Sequence, residues 1–413
     1  MNNQPGDEAR HVPWRTQIAV YGVGLFTTSV FHIASVIIPL YVYMMKPSPF
    51  LFGLVFAAAH FLPLLFSIHA GALMDRLGAR RVMLFCTASA SLLPLFYPLA
   101  PGIWVLIFLQ LFLGLFESMG WIGAQTMIGQ YMHGRTTYAG RLSFTIRFGQ
   151  LAAPPMAGIT WDLAGPWSAF ILMSIWACGS LFCALLLPVQ KIQTTAADLP
   201  DVKEDLRNLM PSWSDYRLAF GLLSAPSVAI IVALGALMHM GNSVQSSFYV
   251  AWLTEMGITG TAVGLLSPAG AIGAAFFSLL TARLTRYLSG FWIVLLSLWL
   301  GILLVCATPL FGTYLLLQIA MFFRSGMNGL AQPLVITLVL RGAGKTNQGK
   351  AIGLRGTANR LASIVAPLAM GAIGEWVGVR DAFFVVGGLA SLAMISMALY
   401  LWRHPEVARK GED

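Results

Sequence analysis

Twelve apolar stretches, each long enough to cross a lipid bilayer, run through this chain, and one long polar break separates the sixth from the seventh. A membrane helix needs about 20 mainly apolar residues. The stretches read as spans at 17–44, 50–72, 81–100, 103–130, 139–162, 166–189, 219–253, 260–282, 290–309, 313–340, 350–375 and 381–402. No water-soluble arrangement buries that much apolar chain. Only 10% of the 413 residues are charged, where a soluble surface carries about 25%. Intrinsic disorder is excluded too, because a chain that is 57% hydrophobic lacks the polarity that keeps segments unfolded. The expected fold class is an all-α membrane protein.

Lys and Arg gather in cytoplasmic loops, and twenty of the 25 basic residues fall on one side of the expected spans. They include Arg10 and Arg15 before the first span, Arg76, Arg80 and Arg81 after the second, Lys191 to Arg217 after the sixth, and Arg403, Arg409 and Lys410 at the end. The opposite side holds Lys46 and Arg380. Both termini are therefore expected in the cytoplasm, with the chain in a bacterial inner membrane. The net charge of +9 is explained by topology, so no nucleic-acid partner is expected. The first seventeen residues carry no apolar core before a cleavage site, and the first span reads as an uncleaved signal anchor. Cys86, Cys178, Cys183 and Cys306 lie inside apolar runs without metal or disulfide spacing and read as packing residues.

The polar break divides the chain into a first bundle over 1–189, a linker over 190–218 and a second bundle over 219–413. Residue matches suggest that the halves are copies. At an offset of 213, Gly140, Arg147, Pro154, Gly158, Ala169 and Phe170 recur as Gly353, Arg360, Pro367, Gly371, Ala382 and Phe383. At an offset of 207, Ala124-Gln125 recurs as Ala331-Gln332. Two similar bundles about a central axis suit a carrier that exposes a midplane site to each side in turn.

The loop after the second span reads Gly71-Ala-Leu-Met-Asp75-Arg76-Leu-Gly78-Ala-Arg80-Arg81. It closely resembles the loop 2–3 signature of the major facilitator superfamily, and with twelve spans and a six-plus-six repeat the resemblance covers essentially the whole chain. The resemblance implies that fold, twelve helices in two pseudo-symmetric six-helix bundles, and transport without an enzymatic reaction. It also implies a gate in which Asp75, flanked by Gly71, Arg76, Gly78 and Arg80, latches the inner face shut. The second-half loop, residues 282–289, lacks both the acid and the glycines, so a single latch is expected. Span five, Gly149-Gln-Leu-Ala-Ala-Pro154-Pro155-Met-Ala-Gly158, resembles a degraded form of the signature of proton-driven exporters. The same residues also suit a Pro kink with close helix packing. Gln110 stands where those exporters commonly carry an arginine.

Charge inside the spans is scarce enough to single residues out. Glu117 is the one carboxylate near the middle of a span, where an ionisable group costs on the order of 3 kcal/mol on insertion scales. A carboxyl in hydrocarbon favours its neutral form and one beside a cation its charged form, so Glu117 is a candidate proton carrier. Arg147, Arg324 and Arg360 also lie within spans, each requiring an anion, a carbonyl cage or water. Arg147 and Arg360 either brace the inner gate or attract an anionic substrate, and Glu117 is one candidate partner for Arg147. His32, His60, His69 and His239 can titrate near neutral pH, with His32 and His239 favoured because spans one and seven line the cavity in the resembled family. Asn242, Gln245, Asn328, Gln332 and Trp121 are further candidates for the substrate cavity. Aromatic residues at such spacings are also frequent in helix packing.

The expected activity is secondary transport, most simply export of a small organic molecule in exchange for protons, by a monomer. Proton-linked uptake of an organic anion is the alternative. No Gly-x4-Gly-Lys-Ser/Thr loop is present, so the proton gradient, not a cofactor, is expected to supply the energy. No hydrolase constellation appears either.

Overall fold

A backbone in hydrocarbon has no water to bond, so each apolar run closes its hydrogen bonds on itself as a helix. The computed structural model describes residues 12–132, 135–188, 220–343 and 348–409. The first half holds α1 (Trp14–Met44), α2 (Pro49–Leu77), α3 (Ala79–Leu92), α4 (Ile103–Met132) and α5 (Thr136–Leu185). The second half holds α6 (Pro226–Val244), a π-helical turn (Gln245–Tyr249), α7 (Val250–Glu255), α8 (Gly260–Leu284), α9 (Gly290–Cys306), α10 (Tyr314–Ala343), α11 (Gln348–Val377), α12 (Val379–Arg403) and the short α13 (Pro405–Arg409). No strand occurs among the described residues. The expected linker, 190–218, lies outside them.

Nine of the described helices are long and apolar enough to cross a membrane. One of these, α5, makes two passages. Its backbone leaves the helix at Gly165, with φ 79°, a conformation open mainly to glycine. Gly149 then packs on Leu25 and Ser29 of α1, and Gly179 on the Phe26 ring. Residues thirty apart in sequence thus meet the same turn of α1, so the chain reverses at Gly165. The 17-residue α9 and the more polar α10 complete the twelve helices expected. The seventh span differs from a plain helix: the Gln245–Tyr249 π turn joins α6 to α7, and such turns recur at functional sites.

Alternating passages put Trp14 and Arg403 at one end of the molecule, here the terminal end, and the α1–α2 and α7–α8 connections at the far end. The apolar packing differs between these ends. At the far end a single core joins both halves, with Ile33, Ile37 and Phe52 packed among Phe248, Val263 and Phe383. Toward the terminal end each half keeps its own core. One contains only residues between Val12 and Leu187, the other only residues between Val228 and Val407. Among the described residues, then, the halves share one core at the far end and keep separate cores toward the terminal end.

Small residues make the seal close. Gly53 of α2 lies on the Pro367 carbonyl of α11, and Gly371 of α11 on the Pro49 carbonyl of α2. Across the other seam, Gly158 of α5 lies on the Gly260 carbonyl of α8, and Gly264 of α8 on the Pro154 carbonyl. None of the four has room for a Cβ. The 213-residue offset that matched Pro154 with Pro367 and Gly158 with Gly371 thus matches residues doing the same job on opposite seams. Pro154 and Gly158 of span five both take part in this close packing.

Candidate functional site

The charged residues of the spans gather into three groups. The first crosses between the halves. Arg360, on α11, donates from Nη2 to the Ser118 hydroxyl of α4 at 2.7 Å. It lies within electrostatic range of His60 of α2 and His239 of α6, as His239 does of His60 and Arg355 of His239. Four basic side chains from three helices thus face one region with no acid paired to them among the described residues. Arg360 stands near the middle of α11, and its guanidinium meets Ser118, the residue after Glu117.

Glu117 itself turns the other way. Ser118, Trp121 and Gln125 share the α4 face directed at the second half, as the i, i+3, i+7 spacing requires, and both Trp121 and Gln125 are exposed. Glu117 and Gly120 instead line a cavity inside the first bundle, of about 10 Å³, close to the space one water needs. Thr27, Thr87 and Ser180 bring hydroxyls to its wall, and Thr27 and Ser180 hydrogen-bond to each other at 2.9 Å. The Glu117 Oε1 is buried without a hydrogen-bond partner. So is the Tyr97 hydroxyl, which lies within electrostatic range of Glu117. Tyr97 follows α3 at the far end and stacks on Phe170 with ring centroids 5.2 Å apart.

The expected approach of Arg147 to Glu117 does not occur. Arg147 reaches Gln150 at 3.5 Å on its own helix, and its charge acts on His32. The two side chains leave α5 and α4 toward different faces, which spacing along each helix alone does not reveal. This pair, Arg147 and His32, forms the second group.

The third group lies inside the second bundle. Arg324 is buried and donates from Nη2 to the Gly241 carbonyl at 3.2 Å and to Asn242 Oδ1 at 3.0 Å. Asn328 Nδ2 donates to the same Asn242 oxygen at 2.9 Å. Carbonyl oxygens cage the cation where no carboxylate is near. Arg324 and Asn328 line a second cavity of about 10 Å³ with Gly241 and Gly301. The 207-residue offset of Ala124-Gln125 and Ala331-Gln332 also superimposes Glu117 on Arg324. The two halves therefore place an acid and a base at equivalent positions, each beside a small cavity of its own bundle. Gln245 starts the π turn and donates to Met321 Sδ, and Gln332 is exposed on α10.

Of the expected inner gate, Gly78 links α2 to α3 at φ 83°, again a glycine conformation. Arg80 donates to the Leu185 carbonyl at 3.3 Å, a cation at a helix C-terminus. The Gly71, Asp75 and Arg76 positions, and that of His69, lie outside the residues whose side chains are described. Pro154 and Gly158 are at the far-end seam.

Two further acids, Asp162 and Glu375, lie at the far ends of their helices. Asp162 accepts from the backbone N–H of Gly260 at 2.9 Å and of Thr261 at 2.7 Å. Glu375 accepts from the N–H of Phe50 at 3.1 Å. All three bonds cross between the halves. Their only sequence signal is that Asp162 and Glu375 obey the 213-residue offset.

The sequence profile of the Major Facilitator Superfamily matches over residues 20–236 and again over 231–413. The chain belongs to this superfamily. Together the two matches span nearly the whole chain, and the superfamily is one of transporters, not enzymes. No curated protein matches the sequence itself. Among solved structures, a point mutant of the nucleoside transporter NupG aligns at a TM-score of 0.75 and 14% identity, over 93% of this chain and all of that one. A POT family transporter in complex with 5-aminolevulinic acid aligns at 0.72 and 13%, over 95% and 96%. A bacterial homolog of the human lysosomal transporter Spinster, inward-facing and occupied, aligns at 0.69 and 13%, over 92% and 94%. Identities this low carry the fold of this superfamily member and leave its substrate to its own residues.

Proposed function

We propose that this superfamily member is a proton-coupled secondary transporter working by alternating access, with Glu117 as the coupling acid. The observation that carries the reading is the buried Glu117 Oε1 without a partner, beside a water-sized space and two bonded hydroxyls. An acid held there is stable when neutral and must meet water or a cation to ionise. Arg360, from the other half, bonds to Ser118, the residue after Glu117 on α4. Closure at the terminal end changes the distance between Arg360 and Glu117, which couples proton release to the movement of the halves.

The asymmetry of basic residues supports a cytoplasmic terminal end in a bacterial inner membrane, and the separate cores toward that end support reading the described state as closed at the far end. Export of a small organic molecule against protons remains the first reading, drawn from the resemblance of span five. A second reading, proton-linked uptake of an organic anion, is favoured by the group of Arg355, Arg360, His60 and His239, which lacks an acid. A monomer is the proposed functional unit in either case, since both described seams are made within one chain.

A thermal-shift screen of organic acids and neutral compounds on purified protein supplies the ligand. In inside-out vesicles with an acidified lumen, export by proton exchange gives accumulation of that ligand. No accumulation there, with uptake into right-side-out vesicles, would establish the anion symport in its place.

A further inference from the structure

We infer that Asp162 and Glu375 are paired gating residues that lock the far end shut, each by capping a helix of the opposite half. The first four N–H groups of a helix have no partner within it, and the helix dipole makes that end favourable for negative charge. Asp162, at the far end of the first arm of α5, takes the N–H groups of Gly260 and Thr261 at the start of α8. Glu375, at the far end of α11, takes the N–H of Phe50 at the start of α2.

The arrangement follows the internal symmetry. Asp162 and Glu375 are related by the offset of 213 that relates Pro154 to Pro367, while Pro49-Phe50 and Gly260-Thr261 are related by an offset of 211. Each acid stands one helical turn beyond a seam glycine, Gly158 or Gly371, whose backbone contact leaves no room for a side chain. The bonds span the two seams, α5 with α8 and α11 with α2, that separate if the far end opens. Each helix also has its own cap, Ser48 accepting from Leu51 and Thr259 from Ala262, so helix stability alone does not call for a second carboxylate from the other half. The acids therefore add to the stability of the closed far end while leaving each bundle self-sufficient. This inference rests on the alternating-access reading but is independent of Glu117.

Among the native cysteines only Cys178 is exposed, so Cys178→Ser provides a background for spin labels. One label pair, at Leu99 and Leu310, reports the far end; a second, at Arg81 and Tyr287, reports the terminal end. All four positions are exposed. Asp162→Ala with Glu375→Ala should add a longer distance at the far end and a shorter one at the terminal end. Removing two exposed charge–helix contacts should shift the ratio of states about three- to tenfold. Unchanged distances in the folded double variant would overturn the inference. Should the double variant not fold, Asp162→Asn and Glu375→Gln singly should each give part of the shift, and unchanged distances in both would overturn it equally. Lengthening at the far end without shortening at the terminal end would instead overturn alternating access.

Discussion

Arg360 of the second half donates a 2.7 Å hydrogen bond to Ser118 of the first, one residue from the buried acid Glu117. The bond crosses between the halves outside the core they share. If Arg360 is there to hold an anion, Arg360→Ala should weaken binding of an anionic ligand about ten- to a hundredfold, the range expected for a charged hydrogen bond. Ser118→Ala should leave that affinity within about twofold. Calorimetry on the two variants checks this, and equal losses would make Ser118, not charge, the basis of the effect.

The seam glycines give a prediction about stability. At Gly264 and Gly158 an added Cβ meets the backbone of the other half, and overpacking costs roughly 1–3 kcal/mol. Gly264→Ala and Gly158→Ala should each lower the melting temperature or open the far end. Gly129, on α4, has open space around it, and Gly129→Ala should be neutral or slightly stabilising through helix propensity. Thermal unfolding in detergent compares the three.

The carbonyl cage around Arg324 predicts an asymmetry. Asn242→Ala leaves a buried guanidinium short of an acceptor, at a cost of about 1–3 kcal/mol or more. Arg324→Met removes the charge itself and fills much of the same space, so its loss in stability should be smaller. Denaturant unfolding of both variants tests the order, and a larger loss in Arg324→Met would show that the cation contributes net stability.

Much of this organisation can be read along the chain. Apolar runs of bilayer length give the helices, and the offset pairs Pro154/Pro367 and Gly158/Gly371 mark the seams because the same contact is made twice. Glu117 stands out because an acid amid apolar residues is rare. The direction of a side chain around its helix and its reach are harder to see. Arg147 falls within reach of Glu117 on a one-dimensional scale yet turns toward His32, while Arg360 meets Ser118 of the other half, a contact that spacing within one half does not reveal. Asp162 and Glu375 look like ordinary loop acids because their partners are backbone N–H groups, which carry no sequence identity, on helices of the other half. The π turn at Gln245–Tyr249 has no Pro or Gly to announce it.

The central claim is that Glu117 carries the coupled proton. In proteoliposomes with an entrapped pH dye, a gradient of the ligand should drive proton movement through the wild-type protein. Glu117→Gln, close to isosteric and always neutral, should abolish that movement while ligand exchange across the membrane continues. Ligand-driven proton movement at the wild-type rate in Glu117→Gln would contradict the claim.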